Sequence, residues 1–115
     1  MDDWTRLEVE AVVEDYLAML SAELSGTPYN KSAHRRALLL QLNNRSESSV
    51  EFKHANISAA LVDVGFPYIN GYKPRFNYQQ LLADVLSVQL SADAALHQIA
   101  SASADQPMAV PEVED

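Results

Sequence analysis

Hydrophobic residues recur along this chain at helical spacing, and turn formers cut the pattern into segments. Val9, Val12, Val13, Tyr16, Leu17, Leu20 and Leu24 follow one another three or four positions apart, so they share one face of a helix. The start is marked by Thr5 and Glu8, which stand in a capping-box relation, with Trp4 and Val9 at the flanking staple positions. Gly26 supplies the stop and Pro28 blocks continuation. Glu10, Glu14 and Glu23 fall on the polar side and read as a solvated face.

A second helix is expected from Asn30 or Ser32 to about Leu42. Ala33, Ala37, Leu38 and Leu42 would face the core, Leu39 and Leu40 would flank it, and His34, Arg35 and Arg36 would form a basic surface. Asn43 and Asn44 signal a turn, because Asn tolerates a left-handed backbone. The third helix begins around Ser46, runs through Val50, Ile57, Leu61 and Val64, and ends before Gly65. Residues 66–77 hold two prolines, one glycine and four aromatics, too many turn formers for a helix. Asn77 is expected to cap a fourth helix through Leu81, Leu82, Val85, Leu86 and Leu90. Ser91 then opens an extra turn or a fifth helix carrying Leu96 and Ile99, unless the fourth helix continues. A short wing strand at 64–68 or 68–73 is the one hint of β structure. The pattern predicts an all-α domain of four to five helices over residues 1–100. Its second and third helices form a helix-turn-helix-like pair, and an aromatic and basic loop precedes the last helices. Residues 101–115 lack periodicity and read as a disordered tail or the start of an interdomain linker.

The length of 115 residues fits one domain with its own core. Cysteine is absent, which excludes disulfides, thiolate catalysis and sulfur-ligated zinc. Three glycosylation sequons start at Asn30, Asn44 and Asn56. With no apolar signal region at the acidic N-terminus, they read as chance and the protein as cytoplasmic. No stretch approaches the roughly 20 apolar residues of a membrane span, so no membrane partner is expected. The net charge of −8 speaks against a broadly basic nucleic-acid binder, but it is unevenly spread. Residues 1–28 and 83–115 each carry −6, whereas residues 29–82 carry +4.

No nucleophile elbow, phosphate loop, dinucleotide fingerprint or zinc-protease motif occurs, so neither an enzyme nor a cofactor is expected. His34, His54 and His97 share no ligand spacing, and His54 reads as a structural histidine rather than a metal ligand. Glu14 and Asp15 are adjacent on a helix and read as surface. In a helix-turn-helix the start of the second helix enters the major groove. Here that start offers Arg45 for a phosphate or guanine edge, Ser46, Ser48 and Ser49 for phosphate oxygens, and Lys53 and Asn56 one or two turns on, Asn being a reader of adenine. Lys31, His34, Arg35 and Arg36 extend this basic surface, and Lys73 and Arg75 add to it from the aromatic loop. The same residues also suit structural work. Ser46 fits a helix cap, Arg45 an ion pair with a neighbouring acid, and Asn56 a bond to a loop.

Three ordered motifs carry a family resemblance: Tyr29-Asn30-Lys31 with His34, the run Arg45 to Ala59, and Gly71 to Gln79. Together they resemble the N-terminal head domain of McrA-like HNH endonucleases, over roughly residues 4–90. The resemblance implies a non-catalytic accessory module of a modification-dependent restriction or antiviral defence protein. Nuclease and base-reading domains would lie downstream in the same polypeptide. Double-stranded DNA is then the expected partner, and the alternative is a protein-interaction or dimerisation module.

Overall fold

The structure, a computed structural model, describes residues 3–104. Five helices follow in order: α1 Arg6–Ser25, α2 Lys31–Leu39, α3 Glu47–Asp63, α4 Gln80–Ala92 and α5 Ala94–Ala104. The domain is all-α. No strand forms among the described residues, so the wing is not present.

α1 is the central helix and packs against the other four. Its capping box forms as expected. Glu8 N–H donates to Thr5 Oγ1 at 3.2 Å and Thr5 N–H donates to Glu8 Oε1 at 3.0 Å. At the other end Gly26 adopts φ 79°, and Thr27 N–H returns to Ala22 O at 2.8 Å. Val9, Val12, Val13, Tyr16, Leu17 and Leu20 meet Ile57 and Leu61 of α3, Leu82, Val85 and Leu86 of α4, and Leu96 of α5 in one core. Each such aliphatic side chain contributes about 1.5–3 kcal/mol on burial. Among the described residues no helix is long and apolar enough to cross a membrane.

Several local expectations are corrected. Glu23 is not solvated. It is buried, accepts from Tyr29 OH at 2.8 Å, and faces Asn70 N–H at 3.4 Å. α2 ends at Leu39 and buries only Leu38, while Ala33 and Ala37 stay exposed. Two methyl groups give little apolar area. The helix instead turns His34 and Leu38, one turn apart, toward the interior. Residues 40–46 join α2 to α3, a longer link than the three- or four-residue turn anticipated. Asn44 takes the left-handed conformation there, with φ 59°. Asn77 does not cap α4. That helix starts three residues later, after Gln79, whose side chain is engaged elsewhere. Asp93, not Ser91, opens α5 by accepting from Leu96 N–H at 3.0 Å. α5 continues through Ala104, sustained by alanines, so residues 101–104 of the expected tail are helical. Residues 105–115 lie outside the described residues.

Candidate binding surface around α3

α3 is buried without a break from Lys53 to Leu61. It runs between α1, α2 and α4 and the strap of residues 64–79. The helix has the boundaries its sequence predicts. Ser46 caps it by accepting from Ser49 N–H at 3.1 Å, and Gly65 closes it with φ 73°. Four polar residues of the motif therefore lie inside, and each must find partners or be desolvated at a cost.

Asn56 Nδ2 donates to Arg75 O at 2.8 Å, and Arg75 N–H donates to Ala55 O at 3.1 Å. These two bonds pin the strap to α3. Lys53 Nζ donates to Gln79 Oε1 at 3.1 Å and lies 5.2 Å from the Trp4 ring centre. Burial, then the nearby Arg45 charge, lowers its pKa. Ser58 Oγ shares a hydrogen bond of 2.7 Å with Tyr16 OH, which also accepts from Ile69 N–H at 2.9 Å. Burial raises the Tyr16 pKa.

His54, 1% exposed, packs its ring 4.7 Å from Tyr72 and 5.9 Å from Tyr16. Its Nε2 is 3.4 Å from Asp15 Oδ2, and neither ring nitrogen has a hydrogen-bond partner. The other Asp15 oxygen accepts from His34 Nδ1–H at 2.7 Å. Asp15 is thus not the surface residue its sequence position suggested. It bridges α2 and α3 from α1. Among the described residues no group of three or more His, Asp or Glu side chains is placed to hold a metal ion.

The basic residues divide into two groups. Arg45 is spent internally. Its Nε and Nη2 donate to Glu8 at 2.9 and 2.8 Å, Nη2 also donates to Asp3 O at 2.9 Å, and its guanidinium stacks 4.7 Å from Trp4. Arg35 is spent on Glu51 at 3.1 Å and Glu47 at 3.4 Å. By contrast Lys73, Arg75 and Arg36 are exposed and have no carboxylate partner among the described residues.

Two recesses flank the first half of α3 among the described residues. One, of about 440 Å³, lies at its start and brings together Arg45, Ser46 and Ser49 with Asp3, Trp4, Asn44 and Gln79. The charge available there is already held by Glu8. The other, of about 460 Å³, is a groove between α3 and the strap. Ser48, Glu51, Phe52 and Ala55 form one wall, and Gly71, Tyr72, Lys73 and Arg75 the other. The Arg75 guanidinium sits 5.2 Å from the Phe52 ring centre, and Lys31 Nζ sits 4.8 Å from that of Tyr72.

Of the sequence candidates, then, Ser48, Lys73 and Arg75 line the groove, and Lys31 sits over the ring of Tyr72. Ser46 and Ser49 cap α3 beside Arg45, while Lys53 and Asn56 point inward. His34 and Arg35 serve the α1–α2–α3 junction, and Arg36 is exposed on α2. Tyr72 belongs to the aromatic loop expected to present such a surface, whereas Phe52, on the facing wall, has no role assigned from the sequence. The local signal for Phe52 was a large aromatic among polar neighbours, Glu51 and Lys53. No family model, curated protein or solved structure matches the chain.

Proposed function

We propose that the chain is a non-catalytic accessory domain of a larger modification-dependent restriction or defence protein, and that it adds a one-sided phosphate contact to DNA. The three motifs that resemble McrA-like head domains support the first half of this reading. One observation carries the second: Lys73 and Arg75 line one groove, and Glu51, the acid among its lining residues, is engaged by Arg35. The contact surface is therefore the groove rim and not the start of α3, where a helix-turn-helix protein would read bases. Glu10, Glu14 and Asp84, exposed or half-exposed on α1 and α4, do not line the groove. Two phosphate contacts give a weak binder that depends on downstream domains for affinity and sequence choice.

Fluorescence anisotropy of the 115-residue chain against labelled DNA, at about 50 and 200 mM salt, tests this. Counterion release from two contacts predicts a slope of about −1.4 to −1.8 in log affinity against log salt. No binding to any DNA form at the lower salt removes the reading. A protein-interaction module is the second reading, favoured by the exposure of Leu7 (78%) and Leu40 (89%). Concentration-dependent dimerisation in sedimentation, abolished by Leu40→Glu, would support it.

A further inference from the structure

The side chains suited to reading a duplex are turned away from solvent. Arg45, Lys53 and Asn56 all bond within the domain. The outward face of the first α3 turns shows Glu47, Ser48, Glu51 and Phe52 instead, with both carboxylates held by Arg35. What the groove does offer is an aromatic ring with a cation beside it: the Arg75 guanidinium stands over the Phe52 ring, 5.2 Å from its centre. Phe52 is 45% exposed, although it lies in the middle of a helix whose next residues are buried. Such a ring stacks on a base only when the base face is free. Faces inside a duplex are covered by their neighbours, whereas those of an unpaired strand are not. The groove volume of about 460 Å³ also falls within the roughly 300–1,000 Å³ of sites that hold one small molecule.

We infer that the groove binds an unpaired nucleotide of single-stranded DNA, with its base against Phe52 and its phosphate at Lys73 and Arg75. This rests on the DNA-contact reading above and specifies the form of DNA. The charge fits: Lys73 and Arg75 line the groove, and Arg35 holds Glu51 back. The pinned backbone of Arg75 fixes the cationic edge relative to the ring. No hydrogen-bonding side chain other than Ser48 and Glu51 lines the wall that carries Phe52, so stacking is tolerant of base identity.

The test titrates the 115-residue chain, at low salt, with a twelve-nucleotide oligothymidylate, a mixed-sequence duplex of the same length, and polyglutamate. The expected result is binding of the oligothymidylate, with the duplex about tenfold weaker or more. Phe52→Ala should then cost about fivefold or more in affinity, with Phe52→Tyr retaining it. Melting temperatures of both variants close to that of the parent protein show that the fold is intact, as expected for a half-exposed ring. If the duplex binds as tightly and Phe52→Ala changes nothing, the inference falls while the DNA-contact reading stands. If neither DNA binds, both fall. If polyglutamate binds as well as the oligothymidylate, and Phe52→Ala leaves both unmoved, the groove is a site for acidic protein segments and the inference is overturned.

Discussion

Glu8 and Arg45, 37 residues apart, are joined through both carboxylate oxygens, at 2.8 and 2.9 Å, with side chains only 3% and 11% exposed. The pair welds the start of α1 to the start of α3, and Asn43 N–H adds a third bond to the same carboxylate at 2.9 Å. Removing one partner strands the other charge in the interior. Glu8→Ala is expected to cost about 3–5 kcal/mol, the usual penalty for breaking a buried pair. Urea unfolding followed by circular dichroism measures it. A loss under about 1 kcal/mol would mean that Arg45 readily finds water instead.

The same carboxylate predicts an acid transition. The hydrogen bond from Arg45, supported by those from Asn43 and Thr5, brings the Glu8 pKa from 4.5 down to about 2 against the effect of burial. A pKa depressed by folding contributes stability that is complete above the unfolded value. It is lost as pH falls from about 4.5 toward about 2. Stability curves between pH 6 and pH 2 should show this loss in the parent protein. Glu8→Gln should lower the curve at pH 6, converge on the parent near pH 2, and so flatten it across that window.

α1 and α3 were legible because their ends are set locally: Thr5 with Glu8, Ser46 with Ser49, and glycines at 26 and 65 in the left-handed region. The start of α4 was not, because no side chain caps it: Gln79 gives its side chain to Lys53, 26 residues away. Nor was the buried face of α2, since it is decided by His34 reaching Asp15 across 19 residues. The candidate site divided along the same line. A sequence shows that Arg45, Lys53 and Asn56 are able to hydrogen-bond. Whether the partner is a ligand or the domain itself depends on contacts 19 to 37 residues distant. Its polar neighbours aside, nothing local marks Phe52 as a site residue, and only its helix position relative to the strap exposes it.

His54 and Asp15 should respond unequally to substitution. Both His54 ring nitrogens are buried without a hydrogen bond, so His54→Leu, which keeps much of the volume, removes two desolvated polar atoms and no bond. It is expected to leave stability within about 1 kcal/mol of the parent or to raise it. Asp15→Ala removes the acceptor of His34 and should cost about 1–3 kcal/mol. Thermal melts of the two variants at neutral pH decide this, and a larger loss for His54→Leu would show that its ring contacts with Tyr72 and Tyr16 dominate.

Asn56→Ala should loosen the strap without unfolding the helices. It leaves Arg75 O with no donor from α3, at about 1–3 kcal/mol. The Arg75 amide, bonded to Ala55 O, should then exchange faster with solvent than the amides inside α3. Hydrogen exchange followed by mass spectrometry on peptides covering 70–79 and 50–63 separates the two effects. Equal acceleration in both would indicate global destabilisation instead.

The groove electrostatics make a prediction with a sign that is easy to miss. Glu51 lines the groove, so its charge opposes an anion even though Arg35 holds it at 3.1 Å. Glu51→Gln should therefore tighten DNA binding. Glu51 has an exposed side chain, and screening by water limits the gain: one unit charge about 8 Å from a phosphate is worth about 0.5 kcal/mol in water, or roughly twofold in affinity. Arg35→Gln should act in the opposite direction without touching DNA, because it releases both Glu47 and Glu51 from their ion pair. Lys73→Gln should weaken binding and make the salt slope shallower by nearly one. Glu10→Gln, on α1 and paired with Arg6, removes the same formal charge as Glu51→Gln at a place that does not line the groove, and should change nothing. Anisotropy titrations of these four variants at low salt check the set. If Glu10→Gln raises affinity as much as Glu51→Gln does, bulk charge governs binding and the groove holds no special place in it.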